Sequence, residues 1–129
     1  MFVLVVDDNL ANLKLLRVAL ETEGYETTTA VDADEALRAL EVRRPDLILM
    51  DAQLPGMDGL TLSRRLKADS KTCGIVIVAV TAYAMKGDQQ KAFEAGCDGY
   101  LTKPIDVLSL PSVLEGYLWK GTHKEARIS

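Results

Sequence analysis

The chain is poor in the residues on which several common chemistries depend. It holds one histidine and two cysteines in 129 residues. His123 lies in the C-terminal stretch, and no serine–histidine pairing is evident. Cys73 and Cys97 have no metal-type spacing and read as buried or inert thiols. Basic charge is in deficit: 15 Lys and Arg stand against 19 Asp and Glu, for a net charge of −4. That argues against non-specific binding to nucleic acid or to an anionic membrane, both of which need a basic face. No apolar run approaches the ~18 residues of a membrane span. The longest, Phe2–Val6 and 75–80, have the length of strands. Asp7 and Asp8 interrupt the first run, with no basic start and no cleavage site, which is unlike a secretory signal. Aromatic residues are 5%, so aliphatic side chains must fill the core. The expected class is a soluble, reduced, cytoplasmic single domain.

What is present is a regular alternation. Short apolar runs at Phe2–Val6, Glu26–Ala30, 47–50, 75–80 and Gly99–Thr102 read as strands. Three are almost wholly apolar and rich in β-branched residues, as expected of parallel strands buried on both faces. Thr27, Thr28 and Thr29 favour strand but suggest an edge. Helical spacing appears between the runs, in Leu13, Leu16 and Leu20, in Ala33, Ala36, Leu37 and Leu40, and in Leu62 and Leu66. A fourth helix is expected over 85–95, closed by Gly96, and a last one carries Leu110, Val113, Leu114, Tyr117 and Leu118. Asn9 and Asp58 read as helix caps. Pro111 predicts that the last helix starts near Ser109, so that the proline falls in its first turn. Five β–α pairs imply an α/β fold: a doubly wound, five-stranded parallel sheet in the order 2-1-3-4-5 with helices on both faces. The folded domain is expected over residues 1–119, with a polar tail at 120–129.

In such a sheet the C-terminal ends of all strands share one edge, and ligands bind where the strand order reverses. The residues leaving the strands there are Asp7 and Asp8, Asp51, Thr81 with Ala82, and Lys103 with Pro104. Three crowded carboxylates repel one another and call for a hard divalent cation such as Mg²⁺. The hydroxyl of Thr81 and the ammonium of Lys103 suit phosphoryl oxygens, so the set reads as a phosphoryl-transfer site.

These residues are the ones that carry a family resemblance. Asp7, Asp8 and Asn9, Asp51 within the stretch 47–59, Val80 with Thr81 and Ala82, and Lys103 with Pro104 stand in order on four strand ends. The chain thereby resembles the receiver domain of two-component response regulators over residues 2–118, and within it the stand-alone cell-division type and the receivers of hybrid kinases. The resemblance implies a phosphoacceptor at Asp51, charged from the phosphohistidine of a histidine kinase or histidine phosphotransfer protein. It implies Mg²⁺, or Mn²⁺, on Asp8, Asp51 and the backbone carbonyl of Gln53, with Asp7 acting mostly through water. Thr81, the N–H of Ala82 and Lys103 would hold phosphoryl oxygens. Thr81 and Tyr100 would form the switch that reshapes a protein-binding face, and the bond before Pro104 would be cis. Such a domain is a signalling module rather than an enzyme, since it catalyses only its own phosphorylation and dephosphorylation. The expected output is a downstream protein target, without a DNA-binding domain, from a monomer or weak dimer.

Two other phosphate-handling classes fit poorly. A haloacid-dehalogenase-like phosphatase needs a second aspartate two residues after its nucleophile, where this chain has Gln53. A flavin or dinucleotide carrier needs a glycine- or hydroxyl-rich loop after the first strand, and the aspartates there would repel a pyrophosphate.

Overall fold

A computed structural model describes residues 1–82 and 87–122 of the chain. The five apolar runs form β1 (Phe2–Val6), β2 (Glu26–Ala30), β3 (Leu47–Asp51), β4 (Val76–Thr81) and β5 (Gly99–Thr102). They alternate with α1 (Leu10–Thr22), α2 (Ala33–Val42), α3 (Gly59–Ala68), α4 (Asp88–Glu94) and α5 (Leu110–Thr122). The strands make one parallel sheet in the order β2-β1-β3-β4-β5, as the alternation predicts.

Every residue of β1, β3 and β4 is buried, because successive side chains point to opposite faces and both faces are covered. On one face Leu4, Ile48, Met50 and Ile77 pack with Ala36 of α2 and with Leu62 and Leu66 of α3. On the other, Val3, Val5, Leu49 and Val78 pack with Leu13, Leu16 and Leu20 of α1 and with Leu110, Leu114 and Leu118 of α5. β2 is an edge strand, and its three threonines are half-buried.

Local chemistry sets the helix starts. Asn9 Oδ1 accepts from the N–H of Asn12 at 3.0 Å, and Asp58 Oδ1 accepts from Leu60 at 2.8 Å and Thr61 at 3.1 Å. Gly96, at φ 93°, ends the α4 segment as expected.

Several boundaries shift. β3 and β4 each extend to the polar residue at their end, because Asp51 still pairs in register with Val80 and Thr81 with Thr102. α4 is described from Asp88, and the expected start at 85 lies outside the described residues. α5 opens at Leu110, placing Pro111 second in the helix, where its missing N–H costs nothing. Ser109 does not cap this helix as a side chain: its hydroxyl donates to the Asp106 carbonyl at 3.2 Å. α5 runs through Thr122, and residues 123–129 lie outside the described residues. Cys97 is buried as expected, but Cys73 is exposed in the turn after α3.

Candidate functional site

The carboxyl edge of the sheet assembles the polar residues that the strand ends predicted. Asp7 follows β1, and its backbone N–H donates to the Ala30 carbonyl at 3.0 Å, continuing the β1–β2 ladder by one residue. Its side chain turns inward, 3% exposed, and accepts from the N–H of Asn9 at 2.9 Å. Asp51 ends β3, is likewise 3% exposed, and accepts from the N–H of Gln53 at 3.0 Å through Oδ1. Lys103, just past β5, spans the strand ends: its Nζ donates to Asp51 Oδ2 at 3.1 Å and lies 3.4 Å from Asp7 Oδ2. Its backbone N–H donates to the Thr81 carbonyl at 2.8 Å, and the Lys103–Pro104 bond that follows is cis. Asp8 is exposed, so the cluster is open to solvent on its side.

Asp7, Asp8 and Asp51 each offer an oxygen, and these oxygens lie within 4.8 Å of one another. Hard, anionic oxygen donors at this separation, with one open side, fit an octahedral Mg²⁺ or Mn²⁺ that keeps some of its waters. Lys103 offsets part of the repulsion. Burial pushes the Asp51 carboxyl above its ordinary value. The Gln53 N–H and then Lys103 pull it back part of the way, and the Asp7 charge adds to the rise. For Lys103 burial acts downward, but the hydrogen bond to Asp51 and the charges of Asp51 and Asp7 outweigh it and hold the ammonium above its ordinary value.

The rest of the set lies at the adjoining strand ends. Thr81 is buried at the end of β4, and Ala82, next to it, is exposed. Tyr100 on β5 is half-buried and shares with Thr81, Gln53, Asp88 and Lys91 a cleft of about 40 Å³. Burial, then the charge of Asp88, pushes its hydroxyl above the ordinary value.

Two close approaches were not legible in the sequence. The Gln53 side chain reaches over β4, its Nε2 donating to Thr81 Oγ at 3.2 Å, across 28 residues of chain. Gly59, read only as the residue after a cap, presses against the end of β3: a Cβ there would stand 1.9 Å from the Asp51 carbonyl oxygen. Its N–H donates to the Ala52 carbonyl at 3.0 Å, which draws the start of α3 onto the end of β3. The cap at Asp58 marks a helix start, but which backbone the glycine would touch depends on how α3 packs.

A family model of the response regulator receiver domain matches residues 3–115. The chain belongs to this family. It is 44% identical over 116 residues to the polar-differentiation response regulator DivK of Brucella anthropi, covering 90% of this chain and 94% of that protein. Among solved structures, a CheY-like response regulator receiver domain protein from Methanospirillum hungatei superposes with a TM-score of 0.86 at 31% identity, covering 95% of this chain and 97% of the other. The structure of NtrX from Brucella abortus gives a TM-score of 0.89 at 31% identity over 97% of this receiver, which spans 29% of that longer chain. The receiver is thus a signalling domain of the two-component class. No helix among its described residues is long and apolar enough to cross a membrane.

Proposed function

We propose that this receiver is the phosphoacceptor of a phosphorelay, with Asp51 as the acceptor and a phosphohistidine on a partner kinase or phosphotransfer protein as the donor. The observation that carries the reading is the Asp51 carboxylate, buried, hydrogen-bonded to Lys103, and within 4.8 Å of the Asp7 and Asp8 oxygens. An Asp51 oxygen attacks phosphorus as the P–N bond to the donor imidazole breaks. The imidazole nitrogen keeps the bonding pair, and the aspartate becomes a mixed anhydride. Lys103, already within reach of both carboxylates, rotates its charge onto the arriving phosphoryl oxygens. Thr81 supplies a hydroxyl and Ala82 an N–H from the neighbouring strand end. Mg²⁺ or Mn²⁺, held by Asp8, Asp51 and the Gln53 carbonyl with Asp7 through water, would supply positive charge for the phosphoryl oxygens. Water attacking the same phosphorus returns the free aspartate, so phosphorylation and dephosphorylation are chemistry that the domain performs on itself.

The proposed switch turns on Thr81 and Tyr100. Before phosphorylation the Thr81 hydroxyl accepts from the Gln53 amide. Its own O–H proton is donated to a phosphoryl oxygen on Asp51 once one arrives, and the shift of Thr81 toward it frees volume beside Tyr100 that lets the ring move inward. The bias on the two states is set by the differential interaction of the phosphoryl group with them, to which Thr81 bonding contributes. The donor approaches over α1, where Leu10 is 70% and Leu15 54% exposed. A groove of about 350 Å³, lined by Leu15, Leu16, Pro104 and Ile105, adjoins Asp7 and Lys103 there. A downstream protein reads the face that carries Tyr100. We infer a cytoplasmic monomer or weak dimer.

The test is labelling with a small phosphodonor or a phosphorylated partner histidine. Wild type should acquire an acid-stable, base-labile acyl phosphate only with Mg²⁺ or Mn²⁺. Asp51→Asn should abolish it, Asp8→Asn should weaken metal binding, and Thr81→Ala should keep labelling but lose the conformational response. Labelling of Asp51→Asn at the wild-type rate would overturn the proposal.

A further inference from the structure

The edge of the sheet opposite the carboxylates carries a second built surface. β1 begins there at Phe2 and reaches Asp7 five residues later, so the two edges are separated by about 17 Å. From that remote edge a groove of about 480 Å³ runs between the α1–β2 turn and α5, along the helix from Trp119 back to Pro111 in its first turn. Tyr25, Pro111 and Leu118 form its floor, and Met1 and Trp119 stand at its side. The Tyr25 hydroxyl donates to the Pro111 carbonyl at 3.2 Å, which ties the turn to α5 and gives the groove a fixed base.

Its side chains are unusual for a plain solvent face. Trp119 is 55% exposed and Met1 61%. Partly exposed large apolar groups lining one groove mark binding surfaces, and tryptophan is over-represented among residues that dominate binding energy. The rim is acidic. Glu23 and Glu115 line the same groove, and neither forms an ion pair among the described residues. Their charges, after burial, help hold the Tyr25 hydroxyl above its ordinary value, so both carboxylates bear on one point of the floor.

We propose that this groove docks a short basic, aliphatic segment of a partner protein. Aliphatic side chains would fill the floor between Tyr25 and Leu118. Arginine or lysine would meet Glu23 and Glu115. The volume lies within the range of about 300–1,000 Å³ that holds a few side chains. An acidic segment would be repelled, and a polar basic one would leave the floor wet. Because this edge is remote from Asp51, a phosphodonor and the groove partner can be bound together, which gives the receiver a tether independent of its phosphorylation state.

Trp119 is the one tryptophan of the chain, so its emission reports the groove directly. The probe is a ten-residue synthetic peptide alternating leucine and arginine, titrated into the full chain. Saturable change in Trp119 emission is expected, with amide shifts at Tyr25, Ser112 and Trp119. Peptides alternating leucine with glutamate, or serine with arginine, should bind at least tenfold more weakly. Glu23→Lys combined with Glu115→Lys should weaken the leucine–arginine peptide about tenfold, and the corresponding double change to glutamine should weaken it less. Asp51→Asn should leave binding unchanged, which separates this outcome from the fate of the phosphoacceptor reading. The proposal is overturned if the serine–arginine peptide binds equally well, if the double lysine variant binds as wild type does, or if the shifts fall on the Leu15 groove. It is also overturned if the peptide fails to bind because the groove is filled otherwise. A dimer that Trp119→Ala dissolves would identify a second copy as the occupant. An emission change on removing residues 123–129 would identify the chain's own end.

Discussion

Gly59→Ala adds one methyl group at the tightest backbone contact beside Asp51. The new Cβ would stand 1.9 Å from the Asp51 carbonyl oxygen, 2.8 Å from its carbonyl carbon and 3.1 Å from Ala52 Cα. All three are backbone atoms, so no side chain can swing away. Reaching even 3.0 Å from the oxygen requires the start of α3 and the end of β3 to separate by about 1 Å. Overpacking of this kind costs about 1–3 kcal/mol, and a contact this close belongs at the upper end. The same substitution at Gly116 is the control. That residue is exposed in α5 and a Cβ there meets nothing within 4 Å. Replacing glycine by alanine inside a helix should stabilise by about 0.5–1 kcal/mol. Gly99→Ala falls between them, since its Cβ would meet the Tyr117 ring at 2.5 Å, and a ring can shift where a strand cannot. Urea unfolding should show the midpoint falling for Gly59→Ala and rising for Gly116→Ala at constant slope. If Asp51 is phosphorylated as proposed, a displacement of about 1 Å there should also slow its labelling by up to about 100-fold. If Gly59→Ala is as stable as wild type and labels at the same rate, the packing of α3 on β3 is not what holds Asp51 in place.

Asp98→Ala should cost about 2–3 kcal/mol in urea unfolding. Asp98 Oδ2 accepts from both Lys67 Nζ at 2.8 Å and the Ile77 N–H at 2.9 Å, so its loss strands the Ile77 N–H and removes the carboxylate from a part-buried ammonium that keeps only the Cys73 and Ile75 carbonyls. A cost below about 0.5 kcal/mol would contradict that assignment. A maleimide should label Cys73 in the native protein while Cys97 reacts only on unfolding, because Cys97 is buried and burial pushes its thiol upward, keeping it protonated. Equal native labelling of the two would refute the burial. Asp51→Asn should raise the melting temperature at pH 7 in the presence of chelator. With the folded-state value of Asp51 raised, the folded form binds more protons between the ordinary value and the raised one, so stability falls as pH rises through that window. The gain from removing the charge is therefore full above the window and absent below the ordinary value. A variant advantage that persists unchanged at acid pH would rule this cause out.

The pattern of residues along the chain was enough to specify the sheet. Runs such as Val3–Val6 or Ile77–Val80 can satisfy both of their faces only when covered on both sides, and strict β–α alternation leaves few ways to do that. It was also enough to place Asp7, Asp8, Asp51, Thr81 and Lys103 together, because a parallel sheet brings every strand end to one edge whatever the loops do. What the pattern could not specify are contacts that depend on distance in space rather than along the chain. Lys103 and Asp51 are 52 residues apart, and only the packing of β4 between β3 and β5 sets the reach of the ammonium across to both Asp51 and Asp7. The bond between Gln53 and Thr81 exists because β3 and β4 end at the same level in register. Gly59 looks like any glycine after a helix cap until α3 is laid against β3, and the groove between Tyr25 and Trp119 appears only where a turn near residue 24 meets a helix nearly a hundred residues later. Periodicity is a property of neighbours in sequence, and so it reports which face a residue takes. Ångström-scale approach between elements is decided by the sum of all side-chain volumes packed between them, and that sum is known only when the core is assembled.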